Sequence, residues 1–267
     1  MLTVHVARKR LVPLAAVFAA VYGLLRLVPI SVWIGVPGRV FTATEFMAPL
    51  FGLLLGPYGG SIAAIVGTFV AIILTGRMNF FGLDFLPAMT NALVLGLMVW
   101  NRRVLSILLY SLLLVLFFVH PMTLNFVSIP FWNGVPVPFV WLHLIAWVLL
   151  VSPLGGKSVE WIQDRAHWKA VCSAFVLALI GSTAQHLTGT ILFATVAVPL
   201  MGITPEALRA SWTAIFYVYP VERLIVLFFA TMVVAGITRA LIAAGMIRGP
   251  TRTTSSTARG GVGTLHE

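Results

Sequence analysis

Residues 42–76 read TATEFMAPLFGLLLGPYGGSIAAIVGTFVAIILTG, and this stretch decides the fold. Two apolar runs, 42–56 and 59–76, flank the segment Gly56-Pro57-Tyr58-Gly59-Gly60. Glycine admits positive φ, while proline fixes φ and lacks an N–H, so together they mark a turn. The pattern predicts two helices folded back on each other. A helix that crosses a membrane needs about 20 mostly apolar residues, with about 17–25 as the usual range. The first arm is short on that yardstick, so the hairpin is expected to pack partly inside a bundle.

The same yardstick predicts further helices near 11–29, 86–100, 104–119, 137–153, 170–198 and 219–245. Composition agrees: 60% of residues are hydrophobic and 9% charged, and mean hydropathy is +1.04. The expected fold is an all-α integral membrane protein, a bundle of six to eight transmembrane helices in one domain, 1–248. Residues 249–267, mostly Thr, Ser, Gly and Arg, have little to bury and are expected to form a disordered cytoplasmic tail. The run 170–198 is long for a straight span. It carries GSTAQHLTGT at 181–190, where a kink or break is expected.

Charge sets the orientation. Seventeen Lys and Arg against seven Asp and Glu give a net charge of +10. In a soluble protein this would point to nucleic acid, but here the cations stand at the ends of apolar runs. They read as topogenic charge and contacts with anionic lipid, with no nucleic-acid partner. Arg8-Lys9-Arg10 before Leu11 to Leu25 is similar to a signal peptide. The run continues past Tyr22 without a small-x-small site, so a first membrane helix with a cytoplasmic N-terminus is expected. Cytoplasmic segments then hold Arg8, Lys9, Arg10, Arg102, Arg103, Lys157, Arg165, Lys169, Arg239, Arg248, Arg252 and Arg259. Outer loops hold Arg39, Arg77 and Arg209. By the positive-inside rule both termini are cytoplasmic and the protein is a multi-pass component of the plasma membrane.

Several chemistries find no motif. The chain has no Walker phosphate loop, HExxH, paired intramembrane aspartates or GxSxG elbow, so neither an enzyme nor a cofactor is expected. Its single cysteine, Cys172, allows no internal disulfide and no cysteine-based metal site. Scattered His143 and His186 read as hydrogen-bonded cavity residues rather than metal ligands.

Polar residues inside apolar runs are therefore the informative ones. Glu45, Asp84, Asn91, His120, His143, Gln185, His186, Glu222 and Arg223 all fall in the outer halves of the expected spans. Buried polar groups are costly in hydrocarbon and persist where they line a cavity or pair with one another. A small polar solute is expected to bind there, beneath the loop carrying Trp33 and Arg39. Glu45, Asn91, His143, Gln185, His186, Tyr219 and Glu222 would hydrogen-bond it, and Trp132 or Trp141 would stack on any ring. Any one of these residues reads equally as an internal helix–helix hydrogen bond. Glu222 and Arg223 are sequence neighbours on different helix faces, so each is expected to find another partner, Glu45 or Asp84 in the case of Arg223. The outer loops 29–42 and 120–138, rich in proline and aromatics, are placed to cap such a site.

Small residues mark close approaches. Ala15 with Ala19 and Ala16 with Ala20 are two overlapping small-xxx-small pairs, and Ala63, Gly67 and Ala71 make a second seam. The second seam reads as internal packing, whereas the first serves either internal packing or a partner subunit.

Three stretches carry a family resemblance: the alanine face Ala15, Ala16, Ala19 and Ala20; APLFGLLLGPYGG at 48–60 with the seam that follows; and Tyr219-Pro220-Val221-Glu222-Arg223-Leu224-Ile225. In these the chain resembles the substrate-binding S components of energy-coupling factor (ECF) vitamin transporters. The resemblance implies capture of a small water-soluble, vitamin-like compound from outside. Energy would come from separate ATP-binding subunits through a membrane coupling subunit docked on the alanine face. The family has six helices against about eight counted here, so 104–153 would be an insertion. Two other readings stand beside it: a self-sufficient secondary transporter, which would show inverted repeats, and a membrane-embedded enzyme using His143, His186 and Glu222.

Overall fold

The computed structural model describes residues 8–32, 40–130, 133–164 and 166–246. Eight helices and two short β-hairpins make it up: α1 (Arg8–Leu25), β1 (Pro29–Val32), β2 (Val40–Thr42), α2 (Thr44–Thr75), α3 (Leu86–Val99), α4 (Arg103–Val119), β3 (Phe126–Ile129), β4 (Val135–Pro138), α5 (Trp141–Val151), α6 (Pro153–Trp161), α7 (His167–Ala197) and α8 (Pro205–Ala243). The expectation of an all-α chain holds for the bundle. Each of the two strand pairs is antiparallel and belongs to a loop, 29–42 or 126–138.

The deciding stretch behaves as its glycines dictate. Gly56 leaves the helical region at φ 73° and ψ −179°, a conformation costly for residues with a Cβ. The chain folds back there. A Cβ on Gly60 would lie 2.5 Å from the Phe51 carbonyl oxygen, whereas a straight helix separates these positions by about 13.5 Å along its axis. Tyr22 of α1 touches both arms, with its ring centroid 5.2 Å from that of Phe51 and its edge against Gly67. Gly96 of α3 then packs on the turn itself, since a Cβ there would meet the Pro57 nitrogen at 2.3 Å.

Helix α7 is the buried centre of the bundle, and it is continuous. The break expected within 181–190 is absent because the small residues there serve packing instead. Gly181 lies directly on Asn91 and Leu95. The hydroxyls of Thr183, Thr188 and Thr190 donate to carbonyls one turn back, at 2.6, 3.0 and 2.8 Å, satisfying themselves without opening the helix. Helix α8 begins fourteen residues before the expected 219, at Pro205. Thr204 caps it by accepting the Ala207 N–H at 3.2 Å, and Pro205 occupies its first turn, where its missing N–H costs nothing.

Among the described residues, α2 (its two arms counted as one run), α7 and α8 are long and apolar enough to cross a membrane, and α5 with α6, bent by 75°, adds a fourth candidate. The outward surface agrees with that environment. Val104, Leu108, Leu112 and Val115 on α4, and Val221, Leu224, Phe228 and Met232 on α8, are large, apolar and exposed, as on a surface that meets lipid or another protein. At the end of the bundle where α3 meets α4 and α5 meets α6, basic residues hold carbonyls. Arg103 donates to Leu150 at 2.8 Å and to the Val151 and Ser152 carbonyls, the orphan acceptors at the α5 C-terminus. Arg239 donates to the Asp164 carbonyl at 3.1 Å.

Candidate functional site

The polar residues gather at the other end. A cavity of about 130 Å³ opens between α1, the first arm of α2, α3, α7, α8 and the β1–β2 hairpin. Five of the residues expected from sequence line it: Glu45, Gln185, His186, Tyr219 and Glu222. Two more stand directly behind the wall. Asn91, fully buried, donates its amide to Gln185 Oε1 at 2.9 Å, and Gln185 Nε2 in turn donates to Glu45 Oε1 at 2.7 Å. His143, also buried, shares a 3.1 Å hydrogen bond between its Nε2 and His186 Nδ1. Both residues therefore position a lining side chain and do not themselves face the cavity.

Arg223 organises the charges. Its side chain is 1% exposed, with Nη1 donating to Glu45 Oε2 and Nη2 to Glu222 Oε1, each at 2.9 Å. The expectation that Arg223 pairs with Glu45 holds. The expectation that neighbouring Glu222 and Arg223 must part does not. The guanidinium sits on a long flexible stem, and its fork has enough donors for two carboxylates. Its flat faces lie near Phe41 and Tyr219, 5.6 and 5.4 Å from their ring centroids. Tyr219 also stacks on His186 at 3.9 Å, and its hydroxyl lies 3.4 Å from His143 Nε2.

Asp84 takes a different partner. Arg26 at the end of α1 donates to it at 2.5 Å, and the backbone N–H groups of Asn79 and Phe80 donate at 2.8 and 2.9 Å. Both carboxylate oxygens are engaged. This knot ties the loop between α2 and α3 to α1, and Arg26, Asn79, Phe80 and Asp84 all line the cavity.

The remaining expectations divide. Trp141 is half-buried against the core and does not line the cavity. It sits two residues before His143, and positions two apart point to nearly opposite sides of a helix. Trp33, Arg39 and Trp132 lie outside the described residues. His120 belongs to another neighbourhood, accepting the Met122 N–H at 3.1 Å. The alanine face of α1 splits in two. Ala19 is 6% exposed, with its backbone against Gly67, and Ala15 is half-buried on the same side. Ala16 and Ala20 face outward. Ala19 is therefore withdrawn from the expected partner surface, because the two small-residue seams close on each other.

Phe41 belongs to the 29–42 loop expected to cap the site, but sequence reasoning missed the other apolar walls, Phe80, Pro87, Phe193, Trp212 and Ile215. Nothing distinguishes them in the sequence from ordinary core. Trp212 is fixed by its indole N–H, which donates to the Met122 carbonyl at 2.8 Å, and it meets Phe193 edge-on at 5.5 Å between centroids. Among the described residues, no group of three His, Cys, Asp or Glu side chains is disposed to hold a metal ion. Apolar walls with a few convergent polar groups are the usual make-up of a small-molecule site. No family model, curated protein or solved structure matches this chain.

Proposed function

We propose that the protein captures a small solute within the membrane, as the substrate-binding subunit of an ECF-type uptake transporter for a water-soluble, vitamin-like compound. In this reading six to eight segments cross the plasma membrane, both termini are cytoplasmic, and the cavity faces outward. A coupling subunit and ATP-binding subunits supply the energy. The observation that carries it is the cavity between Glu45, Gln185, His186, Tyr219 and Glu222. It lies at the end of the bundle away from Arg103, Lys169 and Arg239 and is lined in part by the β1–β2 hairpin. The absence of a nucleotide-binding motif in the sequence supports the same division of labour. So does the outward pair Ala16 and Ala20, whose small side chains leave room for a close helix–helix contact.

Copurification tests it. The tagged chain, extracted from its native membrane, is expected to bring down an ATP-binding subunit and a membrane coupling subunit, and uptake is expected to require ATP. Uptake by the chain alone in proteoliposomes under an imposed proton or sodium gradient would replace this reading with a secondary transporter. Turnover of a solute by the purified chain would replace it with an enzyme.

A further inference from the structure

We infer that the cavity selects a small monocation, with one amidinium-like or ammonium head on an apolar or aromatic body. This rests on the reading of the cavity as a solute site and adds the charge of the solute. Three carboxylates, Glu45, Asp84 and Glu222, line the cavity; the cations that meet them are Arg26 and Arg223. With histidines counted as neutral, that leaves one negative charge uncompensated among the described residues (3 − 2 = 1).

The hydrogen bonds locate the excess. Asp84 is closed by Arg26 and two backbone N–H groups. Each oxygen of Glu45 has its donor, Gln185 on one side and Arg223 on the other. Glu222 receives Arg223 on Oε1, and its Oε2 accepts no hydrogen bond among the described residues. Its side chain lines the cavity and is 15% exposed, so this oxygen is open to a donor carried by a molecule in the cavity. A charged N–H donor makes a stronger bond there than a neutral one. An anion placed there would face two carboxylates across a poorly screened space. The head group therefore belongs at Glu222. The body belongs among Phe41, Phe80, Phe193 and Ile215, where aromatic faces add a modest attraction for a cation.

Three flat molecules of nearly equal shape separate the possibilities: benzamidinium, benzamide and benzoate. Their binding is measured by titration calorimetry to the full chain in lipid nanodiscs. Benzamidinium is expected to bind at least about tenfold tighter than benzamide, a difference of about 1.4 kcal/mol, with benzoate weaker still. Glu222→Gln should bring benzamidinium within about threefold of benzamide. Glu222→Asp keeps the charge and should keep the preference, which separates a charge effect from damage to the fold. The proposal is overturned if benzamide or benzoate matches benzamidinium on the wild-type chain. It is equally overturned if benzamidinium does not bind, or if Glu222→Gln retains the preference. Failure of the copurification experiment with this preference intact would remove the ECF reading and leave the cation site standing.

Discussion

Two clusters of buried charge line the same cavity and are built to opposite ends. At Asp84 one carboxylate meets one guanidinium and two backbone donors, with contacts of 2.5, 2.8 and 2.9 Å. Nothing is left over, and the cluster fastens a loop. At Arg223 two carboxylates divide one guanidinium, at 2.9 Å each, and one carboxylate oxygen on the cavity wall accepts no hydrogen bond among the described residues. The difference teaches how to tell a structural ion pair from a binding group in an apolar setting. Charge alone does not separate them; the tally of donors against acceptors does.

The largest effect should come from breaking the cluster with the excess. Arg223→Met strands Glu45 and Glu222 together without a cation, and removal of one partner from a buried ion pair costs about 3–5 kcal/mol. A thermal melt in nanodiscs should show a strongly destabilised bundle. Adding Glu45→Gln and Glu222→Gln to Arg223→Met should recover most of that loss; no recovery would mean that Arg223 acts through packing on Phe41 and Tyr219.

Asp84→Asn comes next. It removes a charge-assisted bond of the kind worth about 1.5–3 kcal/mol and leaves Arg26 largely buried without its counter-ion. Stability should fall by that order, while preference among benzamidinium, benzamide and benzoate stays as in the wild type. A changed preference would erase the distinction between the two clusters.

Glu222→Gln should show the reverse pattern. Glu45 still pairs with Arg223, so the melting transition should move by no more than about 1 kcal/mol equivalent, whereas cation preference collapses. A large loss of stability with binding unchanged would make Glu222 structural and Asp84 no longer special.

The smallest effect on the fold is expected on α1, where the same contrast between spent and unspent surface recurs without charge. Ala16→Trp faces outward and should shift stability by about 0.5 kcal/mol at most, leave solute binding intact and prevent copurification of the coupling subunit. Ala19→Trp, at a buried position whose backbone lies against Gly67, should instead damage the fold, with overpacking of about 1–3 kcal/mol. If Ala16→Trp assembles and transports normally, its face meets lipid only.

Much of the bundle was legible because hydrocarbon permits few solutions. Long apolar runs must become helices to satisfy their backbone, and Gly56-Pro57 stands where such a run has to turn. Glu45, Gln185, His186, Tyr219 and Glu222 were legible for a related reason. A polar side chain in an apolar run needs a partner or a cavity, and these five found a shared one. The start of α8 was missed although Thr204-Pro205 carries a cap signature, because residues 206–218 lack the continuous apolarity that span length looks for. The break expected in α7 was wrong because small and hydroxyl-bearing residues weaken a helix in isolation but allow close packing at the centre of a bundle.

What the sequence determined by itself, then, is the inventory: helices, their approximate order, the turn at Gly56 and the set of polar groups that apolar surroundings force into company. Only the tertiary structure decided the pairings. Arg26 took Asp84, Arg223 took both Glu45 and Glu222, Asn91 and His143 went behind the wall, and Ala19 turned inward while Ala16 turned out. The reason is physical. A side chain's cost of burial depends on its own chemistry and can be read residue by residue. Its partner depends on which helix faces meet, and that is settled by the packing of glycines and alanines distant in sequence, such as Gly67 on Ala19 and Gly181 on Asn91.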